Sequence, residues 1–356
     1  MEELDLQLLK RLSKGRKKLT KRINMKDIAK EAHVSVATVS YVINKRPDQK
    51  IPMETVERIE TAIKKLGYVP NLAARSLVDN KSKLIGVVIP QTEPGKQFMF
   101  HNPFYGELLS SIEYNCRIEG YHVLISGTDV NESYLEIAKK RSLDGIIIVG
   151  MHKQSYYNDL IDCQIPIVLI DSYCKELPFK SVSLRDREGA KLATNYLISK
   201  GHRKIGFATG ILTKEGVTRE RYLGYIDALE ENNIEINEDF IYEGTVSNNY
   251  GQALSTQIFK VDERPTAIFA SADVIAIGLI NGFKKQGMIL PKDMSIMGFD
   301  DTWLAKTCDP QLTTIKQDVA KKGEVALKLL LSNEEESPKN IVLEIELIER
   351  ESVYQI

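Results

Sequence analysis

The stretch Asn24–Lys45, NMKDIAKEAHVSVATVSYVINK, predicts two short helices joined by a tight turn. Asn24 can cap the first helix, with Asp27 three residues later as its capping-box partner. His33 stands at the turn, where a positive φ is often required, and Ser35 can cap the second helix. This pattern is typical of a helix-turn-helix, whose second helix enters the major groove of DNA.

The apolar pattern around this stretch predicts a small all-α domain of three helices. In the first helix, one apolar face is formed by Met25, Ile28, Ala29 and Ala32. In the second helix, we expect Val36, Val39, Val42 and Ile43 to point inward and Ala37, Thr38, Tyr41 and Asn44 to point outward. Pro52 can start a third helix, and Gly67 can end it.

Charge divides the chain into a basic head and an acidic body. Residues 1–80 hold 17 Lys and Arg against 10 Asp and Glu, a net charge of +7, so the rest carries −8 of the total of −1. A basic head suits contact with phosphates. Residues 1–23 form a basic N-terminal extension, for which a solvated tail and a phosphate-binding arm both remain open.

Several classes of protein are excluded by what the chain lacks. It has no apolar run long enough to span a membrane and no signal peptide, which predicts a cytoplasmic protein. Four cysteines without CxxC spacing are expected to be reduced thiols. Five histidines show no metal-binding spacing, and no nucleophile elbow, Walker loop or dinucleotide loop follows a strand. We therefore expect neither an enzyme nor a bound metal or cofactor, and assign His202 to a structural turn.

The body, residues 83–356, alternates short apolar runs with helical stretches. The expected strands include LIGVVIP, YHVLISG, GIIIVG, IPIVLID, KIGFATG, AIFAS, SIMGFD and, near the end, IVLEIEL. Such alternation predicts an α/β body with parallel sheets, and about 270 residues suit two lobes. No leucine heptads follow IVLEIEL, which favours a dimer over a tetramer.

Chemically distinctive side chains gather where these strands end, the usual place for ligands in such folds. They comprise carboxylates, an arginine and aromatic rings: Asp171, Asp273, Asp300, Asp301, Arg221, Phe104 and Tyr105. Carboxylates and arginine form charge-assisted hydrogen bonds with hydroxyl groups, and aromatic rings pack on the apolar faces of a sugar. The set therefore predicts a polyol ligand. Trp303, the sole tryptophan, suits either a wall of that site or the core.

The segments MKDIAKEAHVSVATVSYVIN and GYVPNLAARSL resemble the head and hinge of the lactose-repressor/galactose-repressor family. The resemblance implies that base edges are read by Val36, Ala37 and Tyr41, and that phosphate or supporting contacts come from Ser35, Thr38, Ser40 and Asn44. Tyr41 stands where the family usually has arginine. Since a phenol cannot grip guanine with two hydrogen bonds, the operator sequence of relatives is not expected to transfer.

The same resemblance assigns residues 71–82 to a hinge helix and linker. Asn71, Ala74 and Leu77 would contact DNA there, with Leu77 as a wedge in the minor groove. So short a helix is marginal in isolation, and we expect it to form on DNA.

The body resembles the periplasmic sugar-binding fold, with NPFY, PIVLID, RERYLGY, GFDD and TIKQD in the family's order. The resemblance implies that the effector contacts Phe104, Tyr105, Asp171, Arg221, Asp300 and Gln317. It places the crossovers between lobes near residues 184–187 and 315–318. Ala272 stands where relatives often have asparagine, so their ligand is not expected to transfer.

Together these features predict a cytoplasmic transcriptional repressor. Residues 24–70 would bind a pseudo-palindromic double-stranded operator as a homodimer, and a sugar-like effector would bind between the lobes of residues 83–356. Three alternatives remain open: control by a protein partner, a corepressor that tightens DNA binding, and a solute-binding protein without a DNA role.

Overall fold

The chain divides into two compact units, Met1–Asn80 and Lys81–Ile356. A computed structural model describes residues 23–44, 46, 49–69, 81–90, 99–128, 141–150, 160–161, 163–173, 179–332 and 339–356. No helix within these ranges is long and apolar enough to cross a membrane.

In the described part of the first unit there are three helices: α1 (Met25–Ala32), α2 (Val36–Ile43) and α3 (Met53–Leu66). The predicted helix ends are confirmed. The Asn24 side chain accepts hydrogen bonds from the backbone nitrogens of Lys26 and Asp27 at 2.9 and 3.2 Å, and Asp27 accepts one from the Asn24 nitrogen at 2.9 Å. Gly67 ends α3 with a φ of 62°, a left-handed conformation that glycine adopts without strain.

A small apolar core holds these three helices together. Ile28, Val39 and Ile59 contribute one fully buried side chain from each helix. Because each helix buries only a narrow stripe, most side chains of the described part of this unit lie at least partly exposed.

The second unit begins with a lobe built on a six-stranded parallel sheet, here called lobe 1. Its strands are β1 (Leu84–Pro90), β2 (His122–Thr128), β3 (Gly145–Val149), β4 (Ile167–Ile170), β5 (Lys180–Leu184) and β11 (Asn340–Leu343), in the order β11-β5-β4-β3-β1-β2. Among the described residues, the helices α4 (Pro103–Ile118) and α9 (Val319–Leu331) pack on this sheet.

Lobe 2 repeats the plan with a second six-stranded sheet. Its strands are β6 (Ile205–Gly210), β7 (Ile241–Gly244), β8 (Ala267–Ala270), β9 (Ser295–Asp300), β10 (Thr313–Gln317) and β12 (Ile345–Ile348), in the order β12-β10-β9-β8-β6-β7. The pair β10 and β12 is antiparallel, whereas the other pairs are parallel. Its helices are α5 (Asp186–Ser199), α6 (Val217–Glu231), α7 (Asn248–Phe259) and α8 (Asp273–Lys285).

The chain crosses between the lobes three times: after β5, after β10, and between β11 and β12. The expectation of one strand over IVLEIEL is wrong, because Glu344 separates two short strands that belong to different sheets. Exposed and half-buried positions alternate on both sides of Glu344. The two-residue period of a strand therefore continues across the boundary between the two strands, and the sequence pattern does not reveal that boundary.

Close helix packing in lobe 2 depends on glycine. A Cβ atom on Gly278 of α8 would lie 2.3 Å from the Asn248 carbonyl oxygen and 2.9 Å from the Cα atom of Gly251, both on α7. Two backbones approach this closely only where neither helix carries a side chain. The helices that support the carboxyl ends of the lobe 2 strands are thereby fixed in place.

Candidate functional site

The start of α2 is ordered by its own hydroxyl groups. The Ser35 Oγ atom accepts a hydrogen bond from the Thr38 nitrogen at 3.1 Å and lies 2.8 Å from the Thr38 Oγ1 atom. His33 precedes this cap with a φ of 54°, as its position at the turn predicted. The cap gives α2 a fixed first turn, the part of a recognition helix that meets base edges.

The side chains of α2 divide between an apolar underside and an open face. Val39 is buried, Ala37 is exposed, and Thr38, Ser40, Tyr41 and Asn44 are half-buried. The Asn44 Nδ2 atom donates to the Ser40 Oγ atom at 3.2 Å, which holds both side chains near the surface. The expectation that Val36 points inward is wrong, because its side chain is 39% exposed. Val36 is the first residue of α2 and lies outside the cluster that packs around Val39.

Part of the predicted DNA contact surface lies outside the described residues. This applies to Asn71, Ala74 and Leu77 of the predicted hinge, and to residues 1–22 of the basic extension.

In the second unit, three aspartates at strand ends adopt a backbone conformation that aspartate rarely takes. Asp171 follows β4 with a φ of 52°, Asp300 ends β9 with a φ of 127°, and Asp301 follows with a φ of 55°. Positive φ costs free energy for a residue with a Cβ atom, and such strain gathers at ligand sites. The strain therefore marks the carboxyl ends of β4 and β9 as a candidate site.

Arg221 of α6 is the centre of the lobe 2 side of this site. Its Nε atom donates to Asp186 Oδ1 at 2.7 Å, and its Nη1 atom donates to the Ser271 carbonyl oxygen at 2.6 Å. The Nη1 atom also lies 3.5 Å from Asp300 Oδ1, and the guanidinium carbon lies 3.6 Å from the centre of the Phe299 ring. This buried guanidinium thus fixes the positions of two carboxylates.

Lys322 of α9 is the centre of the lobe 1 side. Its Nζ atom donates to both Asp171 carboxylate oxygens at 2.8 Å and to Gln317 Oε1 at 2.6 Å. The Gln317 Nε2 atom in turn donates to Asp300 Oδ1 at 2.5 Å. A continuous path of hydrogen bonds therefore joins the end of β4 in lobe 1 to the end of β9 in lobe 2.

Tyr173 forms a second connection between lobe 2 and lobe 1. Its hydroxyl donates to Asp186 Oδ2, the second oxygen of the carboxylate that holds Arg221. The seven side chains joined in this way are called the cleft network: Asp171, Lys322, Gln317, Asp300, Arg221, Asp186 and Tyr173.

The two predicted aromatic residues occupy different environments beside the network. Phe104 is buried in the core of lobe 1, and the Lys322 Nζ atom lies 5.4 Å from the centre of its ring. Tyr105 is half-buried and meets Phe104 edge to face, with ring centres 5.3 Å apart. One face of Phe104 is therefore covered by a side chain of this protein, and Tyr105 is the more open of the two rings.

Burial controls the protonation of the network. Burial raises the pKa of Asp171, although Lys322 opposes the change. Burial also raises the pKa of Asp300 to about 6, against the opposing effects of Arg221 and Gln317. For Arg221, burial would lower the pKa, but the carboxylates of Asp186 and Asp300 outweigh it and raise the pKa. Arg221 thus stays charged, whereas Asp300 holds its proton to a higher pH than an exposed aspartate does.

The structure brings together four of the residues predicted at the cleft, Asp171, Arg221, Asp300 and Gln317, and adds three that sequence reasoning missed. The clearest missed signal is Lys322, a lysine on the apolar stripe of α9 formed by Val319, Ala326 and Leu330. A charged residue on a buried stripe needs a partner, and this mismatch could have identified it. Asp186 and Tyr173 carried no comparable local signal.

Other residues considered at the sequence level serve the fold. Asp273 is buried and accepts hydrogen bonds from the Thr302 nitrogen at 2.7 Å and the Thr314 Oγ1 atom at 2.6 Å. His202, as predicted, ties a turn: its ring nitrogens lie 2.9 Å from Thr266 Oγ1 and 3.0 Å from the Tyr354 carbonyl oxygen. Trp303 is 61% exposed, which excludes the core position that was one of its two alternatives.

Comparison with known proteins covers both units. Residues 24–71 match the family model of bacterial regulatory proteins, lacI family, and residues 194–353 match the periplasmic binding protein-like domain. The chain is 33% identical over 341 residues to the HTH-type transcriptional repressor PurR of Mannheimia succiniciproducens, covering 93% of this chain and 99% of the relative. It is also 33% identical over 339 residues to the ribose operon repressor of Haemophilus influenzae, with coverages of 93% and 99%.

A solved structure extends the similarity to the whole fold. The lac repressor dimer bound to operator and the anti-inducer ONPF matches with a TM-score of 0.80 at 26% identity, covering 94% of this chain and 100% of that chain.

Proposed function

Because the chain belongs to the LacI family of bacterial regulatory proteins, we propose that it is a cytoplasmic transcriptional repressor whose effector is a small, uncharged polyol. Two copies bind a pseudo-palindromic operator through their first units, since a homodimer matches the two-fold symmetry of such a site. The effector binds at the cleft network and changes the affinity for the operator. The proposed repressor acts by binding DNA and effector, and we propose no catalytic activity for it.

The exposed face of α2 supports operator recognition by apolar as well as polar contacts. Val36 and Ala37 present methyl groups at the first turn, and such groups suit the methyl of thymine in the major groove. Ser35, Thr38 and Asn44 carry the hydroxyl and amide groups that suit phosphates. Tyr41 can make one hydrogen bond to a base edge. We propose that these residues read a site less dependent on guanine than an arginine at position 41 would require.

The observation that carries the effector class is the charge balance of the cleft network. Lys322 pairs with Asp171 and Arg221 pairs with Asp186, which leaves the carboxylate of Asp300 in excess. A phosphate or carboxylate on the effector would face this excess negative charge in a buried site, at a large desolvation cost. An uncharged sugar avoids that cost.

Free hydrogen-bonding capacity at the site also suits hydroxyl groups. Within the described residues, neither Asp300 Oδ2 nor Arg221 Nη2 makes a hydrogen bond, while their partner atoms Oδ1 and Nη1 do. Oδ2 can accept a hydrogen bond from a hydroxyl group and Nη2 can donate one to a hydroxyl group, because a hydroxyl both donates and accepts. Tyr105, which packs against Phe104, supplies a half-buried ring for the apolar face of a sugar.

Two experiments test the proposed function. Selection from random double-stranded DNA with the full-length protein should enrich a pseudo-palindromic sequence, and the absence of any enriched sequence would contradict the operator proposal. Thermal unfolding should then be measured with uncharged sugars, starting with D-ribose, and with matched anionic derivatives such as ribose 5-phosphate. A shift with an uncharged sugar alone supports the proposal. A shift with anionic compounds alone contradicts it, and the lack of any shift favours control by a protein partner.

A further inference from the structure

Lys322 is the residue of the cleft network that the proposed function leaves unexplained. Its side chain is fully buried, whereas lysine seldom is, because removing an ammonium group from water is costly. It lies on the face of α9 that otherwise packs into the apolar core of lobe 1. A methionine or leucine would fill this position at lower cost, so the charge calls for a specific role.

The contacts of Lys322 point to Gln317. The ammonium group has three hydrogens, and its hydrogen bonds go to the two Asp171 oxygens and to Gln317 Oε1. With Oε1 held by Lys322, the other end of the Gln317 amide, Nε2, faces Asp300 and donates to Oδ1. Lys322 therefore holds Gln317 from one side while Asp300 holds it from the other.

We propose that Lys322 is a positioning residue of the effector site, which anchors Gln317 against Asp300 and so keeps the Asp300 carboxylate ready to accept hydrogen bonds from the effector. The inference deepens the proposed function and rests on it. Lys322 acts through Gln317 and through its own charge, and it needs no contact with the effector.

The surroundings of Asp300 favour its protonated form, which Lys322 and Gln317 oppose. Burial raises the pKa of Asp300 to about 6, and both Gln317 and Lys322 oppose the rise. The charged groups around Asp300 and its partners come from five elements: Arg221 of α6, Lys322 of α9, Asp186 of α5, Asp273 of α8 and Asp171 after β4. Two of these five groups are cations and three are carboxylates. Removal of Lys322 leaves a single cation among the carboxylates and therefore favours the protonated form of Asp300. A protonated carboxyl loses acceptor capacity for the hydroxyl groups of a sugar.

A simpler role for Lys322 would be to neutralise Asp171 and nothing more. The two roles differ in the effect of a second substitution. Lys322→Met leaves Asp171 as a lone buried carboxylate, whereas Lys322→Met with Asp171→Asn restores the charge balance without restoring the anchor on Gln317. If neutralisation is the whole role, the double variant should behave like the unsubstituted protein.

The first measurement needs no effector. Full-length protein labelled with ¹³C at the aspartate carboxyl carbons is titrated, and the Asp300 signal is assigned with Asp300→Asn. We expect the Asp300 midpoint to rise by about one pH unit in Lys322→Met and to stay raised in the double variant. Lys321→Met is the matched control, because Lys321 precedes Lys322 on α9 and pairs at the surface with Glu324. Its Asp300 midpoint should be unchanged.

The second measurement is the affinity for D-ribose at neutral pH, with and without Gln317→Ala. Lys322→Met should weaken binding about tenfold in the unsubstituted background, the usual effect of disturbing a hydrogen bond to a charged group. In the Gln317→Ala background the same change should weaken binding less, by about threefold, since the residue that Lys322 anchors is gone and only the effect of the Lys322 charge on Asp300 remains.

The outcomes separate this inference from the proposed function. An Asp300 midpoint that is unchanged in Lys322→Met, or that returns to normal in the double variant, overturns the positioning role whatever binds in the cleft. An equal loss of D-ribose affinity in both backgrounds overturns the action through Gln317. If no uncharged sugar binds the unsubstituted protein, the proposed effector class fails, and the carboxyl titration still decides the role of Lys322.

Discussion

Removal of the Arg221 guanidinium should destabilise the protein far more than removal of any surface arginine. In Arg221→Leu, the carboxylate of Asp186 loses a 2.7 Å charged hydrogen bond and Asp300 loses its nearest cation. Both carboxylates are buried, so water cannot replace the lost partner. Breaking a buried ion pair by removing one member costs about 3–5 kcal/mol, and we expect a loss in this range at about pH 8.

The loss should depend on pH. The pKa of Asp300 is about 6 in the folded protein, above its value in an unfolded chain, so folding takes up a proton. The stabilising contribution of that proton is complete at low pH and is lost as the pH rises through the folded pKa. Without Arg221, which opposes the rise, the folded pKa climbs further, and each additional unit adds about 1.4 kcal/mol to the loss at high pH. The loss at about pH 5 should therefore be smaller by about 1–3 kcal/mol.

Urea unfolding followed by circular dichroism, at one fixed protein concentration and at both pH values, measures these losses. Arg187→Leu is the matched control. Arg187 of α5 pairs with Asp227 of α6 at 2.6 Å, but its side chain is half exposed. Exposed ion pairs contribute about 0–1 kcal/mol, so this control should change stability little at either pH.

Three results would refute the reasoning: a loss below about 1 kcal/mol at high pH, a loss equal to that of Arg187→Leu, or a loss independent of pH. If Arg221→Leu does not fold at high pH, Arg221→Leu with Asp186→Asn provides the second test. That pair removes a carboxylate together with its partner and should recover part of the stability.

Three further predictions concern the effector, the operator and the packing of lobe 2. Asp300→Asn should abolish the effect of the effector on operator binding and leave operator binding itself intact, as measured by fluorescence anisotropy; a normal response would exclude Asp300 from the site. Leu77→Ala should weaken binding to the selected operator more than binding to random DNA, because a wedge acts only at a kinked site, and equal weakening would contradict the wedge. Gly278→Ala should lower stability by about 1–3 kcal/mol or more, since its Cβ atom would lie 2.3 Å from the Asn248 carbonyl oxygen, and a neutral effect in urea unfolding would show that α7 and α8 can separate.

The sequence predicted those features that depend on a few neighbouring residues. The caps at Asn24 and Ser35, the left-handed turn at His33 and the helix end at Gly67 each follow from one residue type at one position. The long apolar runs of lobe 1 and lobe 2 were likewise recognised as strands, because strands buried on both faces need continuous apolar sequence.

Features that depend on distant partners were beyond the sequence. β5 and β7 contain polar residues, so their sequences resemble those of loops. Their positions in the sheets are determined by the neighbouring strands. Lys322 and Asp171 lie 151 positions apart, and Arg221 and Asp300 lie 79 apart, so neither pair leaves a local pattern. The charged residue types alone indicated a polar site. The pairing of each carboxylate with its cation follows from the order of the strands in the two sheets.

Two residues of the cleft network lie where the chain passes between the lobes. Asp186 lies at the first crossing between the lobes, and Gln317 lies at the second. Asp186 bonds to Tyr173 of lobe 1 and to Arg221 of lobe 2, while Gln317 bonds to Lys322 of lobe 1 and to Asp300 of lobe 2. An effector that competes for Asp300 or Arg221 therefore alters bonds made where the chain passes between the lobes. We propose that effector binding changes the angle between the lobes through these hydrogen bonds. A coupling free energy of about 1–3 kcal/mol between effector and operator requires the gain or loss of only one or two of them.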